Sequence, residues 1–200
     1  MLKRSLMLCG LMVTALFLSS CLLDPKEDPP GDDPPPGPPL EIKDLTEKWH
    51  VLNNIEYAYE RRVKATYDEL LNTDFTFFFA PGDVGGEIPA QWDRTEEVNA
   101  TGRLFDSNAQ GEPPVDPVCR DIRLDLQYDP DTMQWVEIIP EDFPSETWYT
   151  TTVFYTFTFE MEPDDTFIAQ PGARAQFTVR NTGTDQDLHW ELVEFRDLGN

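Results

Sequence analysis

The apolar residues that follow Leu40 first show the spacing of α-helices. They recur at every third or fourth position, as on one face of a helix, at Trp49, Leu52, Ile55, Tyr59 and Val63. Asp44 and Glu47 precede this run in the D-x-x-E spacing of a capping box, in which side chains satisfy free N–H groups of the first turn. The pattern therefore predicts a first helix that buries one face.

A short helix and a strand follow. The helix is predicted to carry Tyr67, Leu70 and Leu71 on its apolar face and to end at Asn72. From residue 74 the period becomes two, which is the period of a β-strand. Aromatic residues occupy one side of that strand, at Phe75, Phe77 and Phe79.

A third helix is predicted after Trp92. Asp93 and Glu96 again have the spacing of a capping box, and this signal is independent of the first one. The apolar positions of this helix are Val98, Leu104 and Phe105. Gly102 weakens the helix because glycine has a low helix propensity.

Beyond Pro117 the apolar residues alternate with polar ones, as in strands that bury one face. The alternation is carried by Ile122, Leu124, Leu126 and Tyr128, by the segment 135–139, by Tyr149, Val153, Tyr155, Phe157 and Phe159, and by Ala173, Ala175, Phe177 and Val179. Helices followed by long antiparallel strands indicate the α+β class, with the helices on one face of a curved sheet.

The last strand is expected to run from Leu188 to Arg196 after a turn at residues 181–183. Strict alternation would place Trp190 and Leu192 on one face and Phe195 on the opposite face.

The first residues have the three-part plan of a secretory signal. Lys3 and Arg4 give a positive start, an apolar run extends from Leu6 to Leu18, and two serines follow. The run covers 13 positions, whereas a helix needs about 20 apolar residues to cross a bilayer. Residues 1–20 are therefore expected to be a signal peptide.

The segment Leu18-Ser19-Ser20-Cys21 resembles a lipobox, after which bacterial signal peptidase II cuts and the cysteine thiol takes a diacylglyceryl group. Acyl chains on this thioether and on the new N-terminus would anchor the protein stably, because two lipid signals exceed the reversible binding of one. Leu22 is not the aspartate that resembles an inner-membrane retention signal. The motif predicts a lipoprotein of the cell envelope, anchored in the outer membrane through lipid on Cys21.

A proline-rich segment separates this cysteine from the rest of the chain. Eight of the fifteen residues from Pro25 to Pro39 are proline, so the segment is expected to be an extended spacer without a core. We expect residues 21–39 to comprise the lipidated cysteine and a disordered linker rich in proline and aspartate. Residues 40–200 have a suitable length for one folded domain.

Charge and cysteine content exclude several kinds of site. The net charge is −23, and −25 once Lys3 and Arg4 are removed with the signal, so phosphate backbones would be repelled and no nucleic-acid partner is expected. Cys119 is the one cysteine left after Cys9 is removed and Cys21 is lipidated, which excludes an internal disulfide framework. Metal-binding and phosphate-loop motifs are also missing. No metal or cofactor is expected.

The run from Trp49 to Phe79 resembles the opening of the nuclear transport factor 2-like superfamily, which includes the SnoaL-like proteins. The matching features are the pair Ala58-Tyr59 near the end of the first helix, the short second helix, and an acid-aromatic strand at Asp74. The third helix and the closing "WELVEFRDL" fit the same plan, so the resemblance extends over residues 45–198. It implies a cone, in which a bent sheet wraps around the long helix and leaves a pocket in its mouth.

Enzymes of that superfamily, such as those similar to ketosteroid isomerase, scytalone dehydratase and the SnoaL-like cyclases, use an aspartate base in the pocket, sometimes with a histidine and a tyrosine donor. The only histidines here are His50 and His189, and neither stands in a recognisable catalytic pattern. Asp74 and Asp93 fit the ends of a strand and a helix. The sequence therefore predicts no catalytic residue.

Two functions are compatible with these patterns. The first is a non-catalytic binding or interaction domain for an apolar small molecule or an envelope protein, favoured by an aromatic pocket lining. The residues expected to line that pocket are Trp49, Phe77, Tyr155, Phe157 and Trp190. The alternative is a small-molecule enzyme of the isomerase, dehydratase or cyclase type that uses the cone pocket.

Overall fold

The structure, a computed structural model, describes residues 40–86, 88–106, 118–162 and 166–199. The predicted signal peptide, Cys21 and the proline-rich linker lie outside the described residues. In the described part, no helix is long and apolar enough to cross a membrane.

Three helices and seven strands make up this part of the chain. The helices are α1 (Lys48–Arg61), α2 (Lys64–Leu70) and α3 (Arg94–Phe105). The strands are β1 (Leu71–Phe78), β2 (Gln91–Asp93), β3 (Val118–Gln127), β4 (Val136–Ile138), β5 (Trp148–Glu162), β6 (Thr166–Asn181) and β7 (Trp190–Gly199). Their order in the sheet is β2-β1-β7-β6-β5-β3, and β4 also pairs with β5.

The sheet is mixed but mostly antiparallel. β1 and β7 run parallel, whereas the other pairs of these strands are antiparallel. The register shifts in four of the pairs, and such irregularities bend and twist a sheet. Helices packed on a curved sheet confirm the α+β class expected from the sequence.

Helix α1 buries a broader face than the apolar spacing predicts. Val51, Leu52, Ile55 and Ala58 are fully buried, whereas Trp49 is half-buried. Tyr59 belongs to the same buried cluster. α1 therefore forms the centre of the core.

Both predicted ends of α1 were wrong. Its N-cap is Glu47 without a side-chain cap, because Asp44 instead accepts hydrogen bonds from the backbone and hydroxyl of Thr46. At the other end, Arg62 adopts a left-handed conformation with φ of 54°. The N–H groups of Arg62 and Val63 bond back to the last turn, which ends the helix before Val63.

The capping box at α3 is confirmed. The backbone N–H of Glu96 donates to Oδ1 of Asp93 at 2.9 Å, and the N–H of Asp93 donates to Oε2 of Glu96 at 3.0 Å. Before α3, Leu71 is the first residue of β1 and not the last residue of α2, so the predicted boundary was wrong.

Alternation along β5 and β6 gives the sheet two different faces. Val153, Tyr155, Ala175 and Phe177 are buried against the helices. The residues between them point to the opposite face, which we call the outer face. Thr150 and Thr178, for example, pair across the two strands on that face.

A β-bulge in β7 overturns the predicted orientation of Phe195. Leu192 pairs with Val179 and Glu194 pairs with Thr178, so Val193 is an extra residue between two pairs. The extra residue changes the phase of the alternation. Leu192 and Phe195 consequently both pack in the core.

Candidate functional site

The helical layer contains one buried acid with two hydroxyl partners. Glu97 on α3 is 4% exposed and accepts hydrogen bonds from Tyr67 at 2.7 Å and from Thr101 at 3.0 Å. Burial raises the pKa of the Glu97 carboxyl above its ordinary value, although both hydroxyl groups counteract this effect. The carboxyl group of Glu97 therefore takes up a proton more readily than that of a surface glutamate.

Aromatic rings surround this acid. The ring of Tyr59 lies 5.4 Å from that of Tyr67, 5.0 Å from that of Phe105 and 5.2 Å from that of Phe157, each in an edge-on arrangement. Burial, followed by the charge of Glu97, also raises the pKa of Tyr59. The surroundings of Glu97 are thus apolar and tightly packed.

A second buried acid lies between α1 and the sheet. Glu56 is 8% exposed, and its Oε1 accepts a 2.7 Å hydrogen bond from the backbone N–H of Leu126 on β3. Burial raises the pKa of Glu56 to about 7, and the hydrogen bond from Leu126 opposes this shift. The acid satisfies a backbone donor on a strand at the edge of the sheet.

The five residues predicted to line a pocket lie in separate aromatic groups. Trp190 packs edge-on against Tyr149, and the ammonium group of Lys48 lies 4.8 Å from the Trp190 ring centre. The remaining four form other contacts: Trp49 with His50, Phe77 with Phe79, Trp92 and Phe195, Phe157 with Tyr59 and Phe159, and Tyr155 within the core. None of the five lines either of the cavities described below.

Each of the two histidines lies near an acidic residue and outside the two cavities of the sheet. Nδ1 of His50 lies 2.9 Å from Oδ1 of the exposed Asp44, but without the geometry of a hydrogen bond. Nε2 of His189 lies 3.6 Å from Oε1 of Glu191. Neither pair lines one of the two cavities, so neither is positioned to act on a substrate bound there. Within the described ranges, no group of three or more His, Cys, Asp or Glu residues is arranged to hold a metal ion.

One cavity lies on the outer face of the sheet, and a second adjoins it at residues 151–153 of β5, between the segments of β5 that pair with β4 and with β3. The first, of about 670 Å³, is lined by residues of β1, β5, β6 and β7 and by the loop from Ile138 to Trp148. The second, of about 520 Å³, is lined by residues of β3 to β6 and by the loop that contains Met133. Both include Thr150 and Gln176, so we treat them as one continuous outer cleft. Each volume lies in the range of about 300 to 1,000 Å³ typical of ligand pockets.

A folded loop forms one wall of the first cavity. Two turns shape it, in which Phe143 N–H donates to the carbonyl of Pro140 and Glu146 N–H donates to that of Phe143. The ring of Phe143 then packs 5.4 Å from that of Trp148. This wall is aromatic on the side that faces the cleft.

Ion pairs hold the loop and the floor together. Arg180 donates to Glu146 of the loop at 3.1 Å, to Asn72 at 2.7 Å and to Asp74 at 3.1 Å. The Arg180 side chain is only 15% exposed. Glu146 also accepts a 2.7 Å hydrogen bond from the indole of Trp148. The end of the cleft is therefore pre-organised by one arginine.

A second arginine lies on the cleft floor. Arg196 donates two hydrogen bonds to the carboxylate of Glu194, at 3.1 and 3.0 Å, and its guanidinium lies 3.6 Å over the ring of Phe78. Bidentate pairing and stacking on an aromatic ring both fix an arginine in place. The floor consequently carries neutralised charges in defined positions.

No pattern in the sequence predicts this site. The alternating threonines of β5 do indicate the outer face, but polar alternation is also the ordinary pattern of a solvent-facing sheet surface. The wall at Phe143 and the floor at Arg196 belong to distant parts of the chain. Only the order of the strands brings them together.

Solved structures with a similar architecture come from several bacteria. The β subunit of benzoate 1,2-dioxygenase from Burkholderia mallei aligns with 80% of this chain and 93% of its own, with 9% identity and a TM-score of 0.50. A nuclear transport factor 2-like superfamily protein from Salmonella enterica serovar Typhimurium aligns with 74% of this chain and 85% of its own, with 10% identity and a TM-score of 0.48. A protein of unknown function in nutrient uptake from Rhodospirillum rubrum, also described as NTF2-like, aligns with 77% and 98%, with 13% identity and a TM-score of 0.45.

The domain has the nuclear transport factor 2-like fold. This confirms the fold expected from the resemblance of residues 45–198. No protein-family model and no curated protein sequence matches the chain. Identities this low concern the fold alone, and this fold carries enzymes as well as binding proteins. The function has to be argued from the site.

Proposed function

We propose that this protein is an envelope-anchored lipoprotein whose folded domain binds its ligand non-catalytically in the outer cleft. The anchoring part rests on the signal-like start and on the lipobox-like residues that end at Cys21. The binding part rests on one observation above all. The outer cleft combines a volume suited to a ligand with convergent donors and acceptors on rigid strands.

The rigidity of the cleft supports binding. Strands supply the floor, and the Arg180 pairs fix the loop to it, so little ordering is needed when a ligand enters. Sites built on strands hold their groups more accurately than sites built on loops alone. The cleft is thus suited to recognition by a preformed surface.

Proton transfer has less support in this cleft. The carboxylates of Asp74 and Glu194 are already paired with Arg180 and Arg196, so intramolecular partners occupy the acids on the cleft floor. A general base needs an oxygen or nitrogen within hydrogen-bond reach of the proton that it removes from the substrate. The chemistry of the floor therefore favours binding.

The alternative function is a small-molecule enzyme that uses the interior of the cone. One observation favours it: Glu97 has a raised pKa and lies next to the Tyr67 hydroxyl, as an acid and a donor would in a catalytic pair. Against it, the partners of Glu97 are already provided by Tyr67 and Thr101, and the residue is almost completely buried. We therefore assign a structural role to this pair.

A fragment screen distinguishes the two functions. The full-length chain, purified in detergent, is prepared with labelled threonine methyl groups. Thr150 and Thr178 report on the outer cleft, and Thr101 reports on the surroundings of Glu97. The proposal predicts fragments that shift the methyl signals of Thr150 and Thr178. Fragments that shift the signal of Thr101 alone would overturn it in favour of the enzyme.

A further inference from the structure

We infer that the ligand of the outer cleft is a chain of neutral sugar units. This inference rests on the proposed function, because it names the ligand class of the same cleft. It follows from the polar groups, the charges, the aromatic wall and the continuity of the cleft.

The polar lining offers uncharged groups that both donate and accept hydrogen bonds. The side-chain amides of Gln91, Gln127 and Gln176 make no hydrogen bond with any described residue. Each amide has two donor hydrogens and one acceptor oxygen, and each threonine hydroxyl also does both. Sugar hydroxyl groups have the same dual character, so they can both donate to and accept from these side chains.

The charges disfavour anionic ligands. Five carboxylates line the cleft, against one guanidinium, at Asp74, Asp129, Glu141, Asp142 and Glu194. A phosphate or a sugar acid would have to approach these like charges. A polymer with acidic groups is therefore a poor match.

Cationic ligands find the two carboxylates of the cleft floor already occupied. Asp74 is paired with Arg180, and Glu194 is paired at both oxygens with Arg196. A cationic ligand would have to compete with these intramolecular pairs. A neutral ligand leaves them intact and can hydrogen-bond around them.

Extended peptides lack their usual mode of binding here. Peptides that add to a sheet pair with the backbone groups of a strand edge. The floor of the first cavity is a sheet face, where the backbone groups of β5 and β6 are paired with each other and only side chains are presented. In the second cavity, the stretch of β5 between its pairings with β4 and β3 is limited to residues 151–153, which is too short for an extended peptide to add as a strand.

The aromatic wall gives a sugar ring an apolar contact. Phe143 is half-buried in the wall and packs against Trp148. One face of a pyranose ring consists of C–H groups, which pack on aromatic carbon without losing a hydrogen bond. The combination of a ring for this face with amides and hydroxyls for the edges fits a sugar.

The length of the cleft indicates a chain and not a single sugar. The two cavities meet at Thr150 and Gln176, so a ligand passing over Gln176 enters both. Adjacent units of one chain occupy both cavities with a single loss of translational freedom. We therefore expect an oligosaccharide to bind more tightly than its monosaccharide.

The test uses the full-length chain in detergent and the threonine methyl signals described above. The probes are maltohexaose, cellohexaose and N-acetylchitohexaose, with hexagalacturonate, hexalysine and a neutral Gly-Ser hexapeptide as comparisons. At least one neutral hexasaccharide should shift the Thr150 and Thr178 signals saturably. It should bind at least tenfold more tightly than each of the comparison probes.

Variants locate the binding. Gln176→Ala should weaken the hexasaccharide at least tenfold, whereas Gln186→Ala, in the exposed hairpin between β6 and β7, should leave it within twofold. Phe143→Ala, which changes only the loop wall, is the second variant if Gln176→Ala does not fold. Unchanged affinity in the folded variants would overturn the inference.

The comparison with the fragment screen separates two kinds of failure. If fragments map to the cleft and no neutral hexasaccharide binds, the sugar assignment is overturned while the binding domain stands. If neither fragments nor hexasaccharides shift Thr150 and Thr178, the proposed function fails as well. Tighter binding of hexagalacturonate, hexalysine or the peptide would also overturn the sugar assignment.

Discussion

The backbone N–H of Leu126 donates a 2.7 Å hydrogen bond to Oε1 of Glu56, which joins helix α1 to strand β3. Strand β3 lies at the edge of the sheet, so on its outer side no neighbouring strand accepts its N–H groups. The carboxyl group of Glu56 accepts this one N–H group instead. Because the group is titratable, this join between the helix and the sheet depends on pH.

The first prediction concerns the stability of the domain as a function of pH. Burial raises the pKa of Glu56 to about 7 from 4.5, so the folded state holds this proton more tightly than the unfolded state. Its contribution to stability is fully present below pH 4.5 and is lost as the pH rises through about 7. Wild-type protein should therefore lose about 2 to 3 kcal/mol relative to Glu56→Gln between pH 5 and pH 8.

Urea unfolding at several pH values measures this difference. Glu69→Gln is the matched control, because Glu69 is exposed on helix α2 and is not among the groups that act on Glu56. Its stability relative to the wild type should not change with pH in this range. A pH-independent difference between Glu56→Gln and the wild type would contradict the assignment.

The second prediction concerns the centre of the core. Ile55 is fully buried in α1, so Ile55→Ala should lower the free energy of unfolding by about 2 to 5 kcal/mol. The matched control is Ile42→Ala, because Ile42 is 55% exposed and its truncation should cost less than about 0.5 kcal/mol. Equal losses in the two variants, measured by urea unfolding, would show that the buried face of α1 is wrong.

The third prediction concerns the arginine that connects the cleft wall to its floor. Arg180→Met leaves Glu146 and Asp74 without their shared cation, and should cost on the order of 2 kcal/mol in unfolding free energy. Arg174→Met is the control, because Arg174 lies on the same strand and is exposed. The loop should also become more sensitive to proteolysis in Arg180→Met only. Equal stability and protease resistance in both variants would argue against a structural role for Arg180.

The fourth prediction concerns the membrane anchor proposed from the sequence. Cells that express the wild type should incorporate a palmitate analogue into the protein, and Cys21→Ser should not be labelled. Cys119→Ser is the control and should remain labelled, because Cys119 is a buried thiol within the domain. A labelled Cys21→Ser variant, or a mature N-terminus other than Cys21, would disprove lipidation at this position.

The sequence correctly predicted two features that arise within single elements of secondary structure. The capping box at Asp93 and Glu96 is formed, and the alternation around Phe177 gives the buried face of β6. These features depend on residues close together in the sequence. They could be predicted because hydrogen-bond partners and strand faces within one element follow fixed spacings.

The errors come from interactions between distant segments. The extra residue Val193 changes the phase of β7 without any glycine to signal a bulge. The burial of Glu56 and Glu97 could not be predicted, because charged residues on a helix are usually placed in solvent. Their partners, Leu126 and Tyr67, lie on other elements. Tertiary contacts of this kind leave no periodic signal.

The candidate site was missed for the same reason. The resemblance to a known fold predicts a pocket in the interior of the cone, whereas the first cavity lies on the outer face and the second adjoins it. The floor of the first cavity forms only when β1 pairs in parallel with β7, because this pairing places Phe78 next to Arg196. No local pattern indicates that pairing.

A blocking variant tests the central claim, ligand binding in the outer cleft, most directly. Gln176 belongs to both cavities, so the indole of Gln176→Trp should fill their junction, while Gln186→Trp adds the same group to an exposed hairpin. The measurement is the dissociation constant of the tightest fragment or hexasaccharide for each variant, after the melting temperatures have shown that both are folded. The account predicts at least a tenfold weaker affinity for Gln176→Trp and an unchanged affinity for Gln186→Trp. Wild-type affinity in a folded Gln176→Trp variant would contradict it.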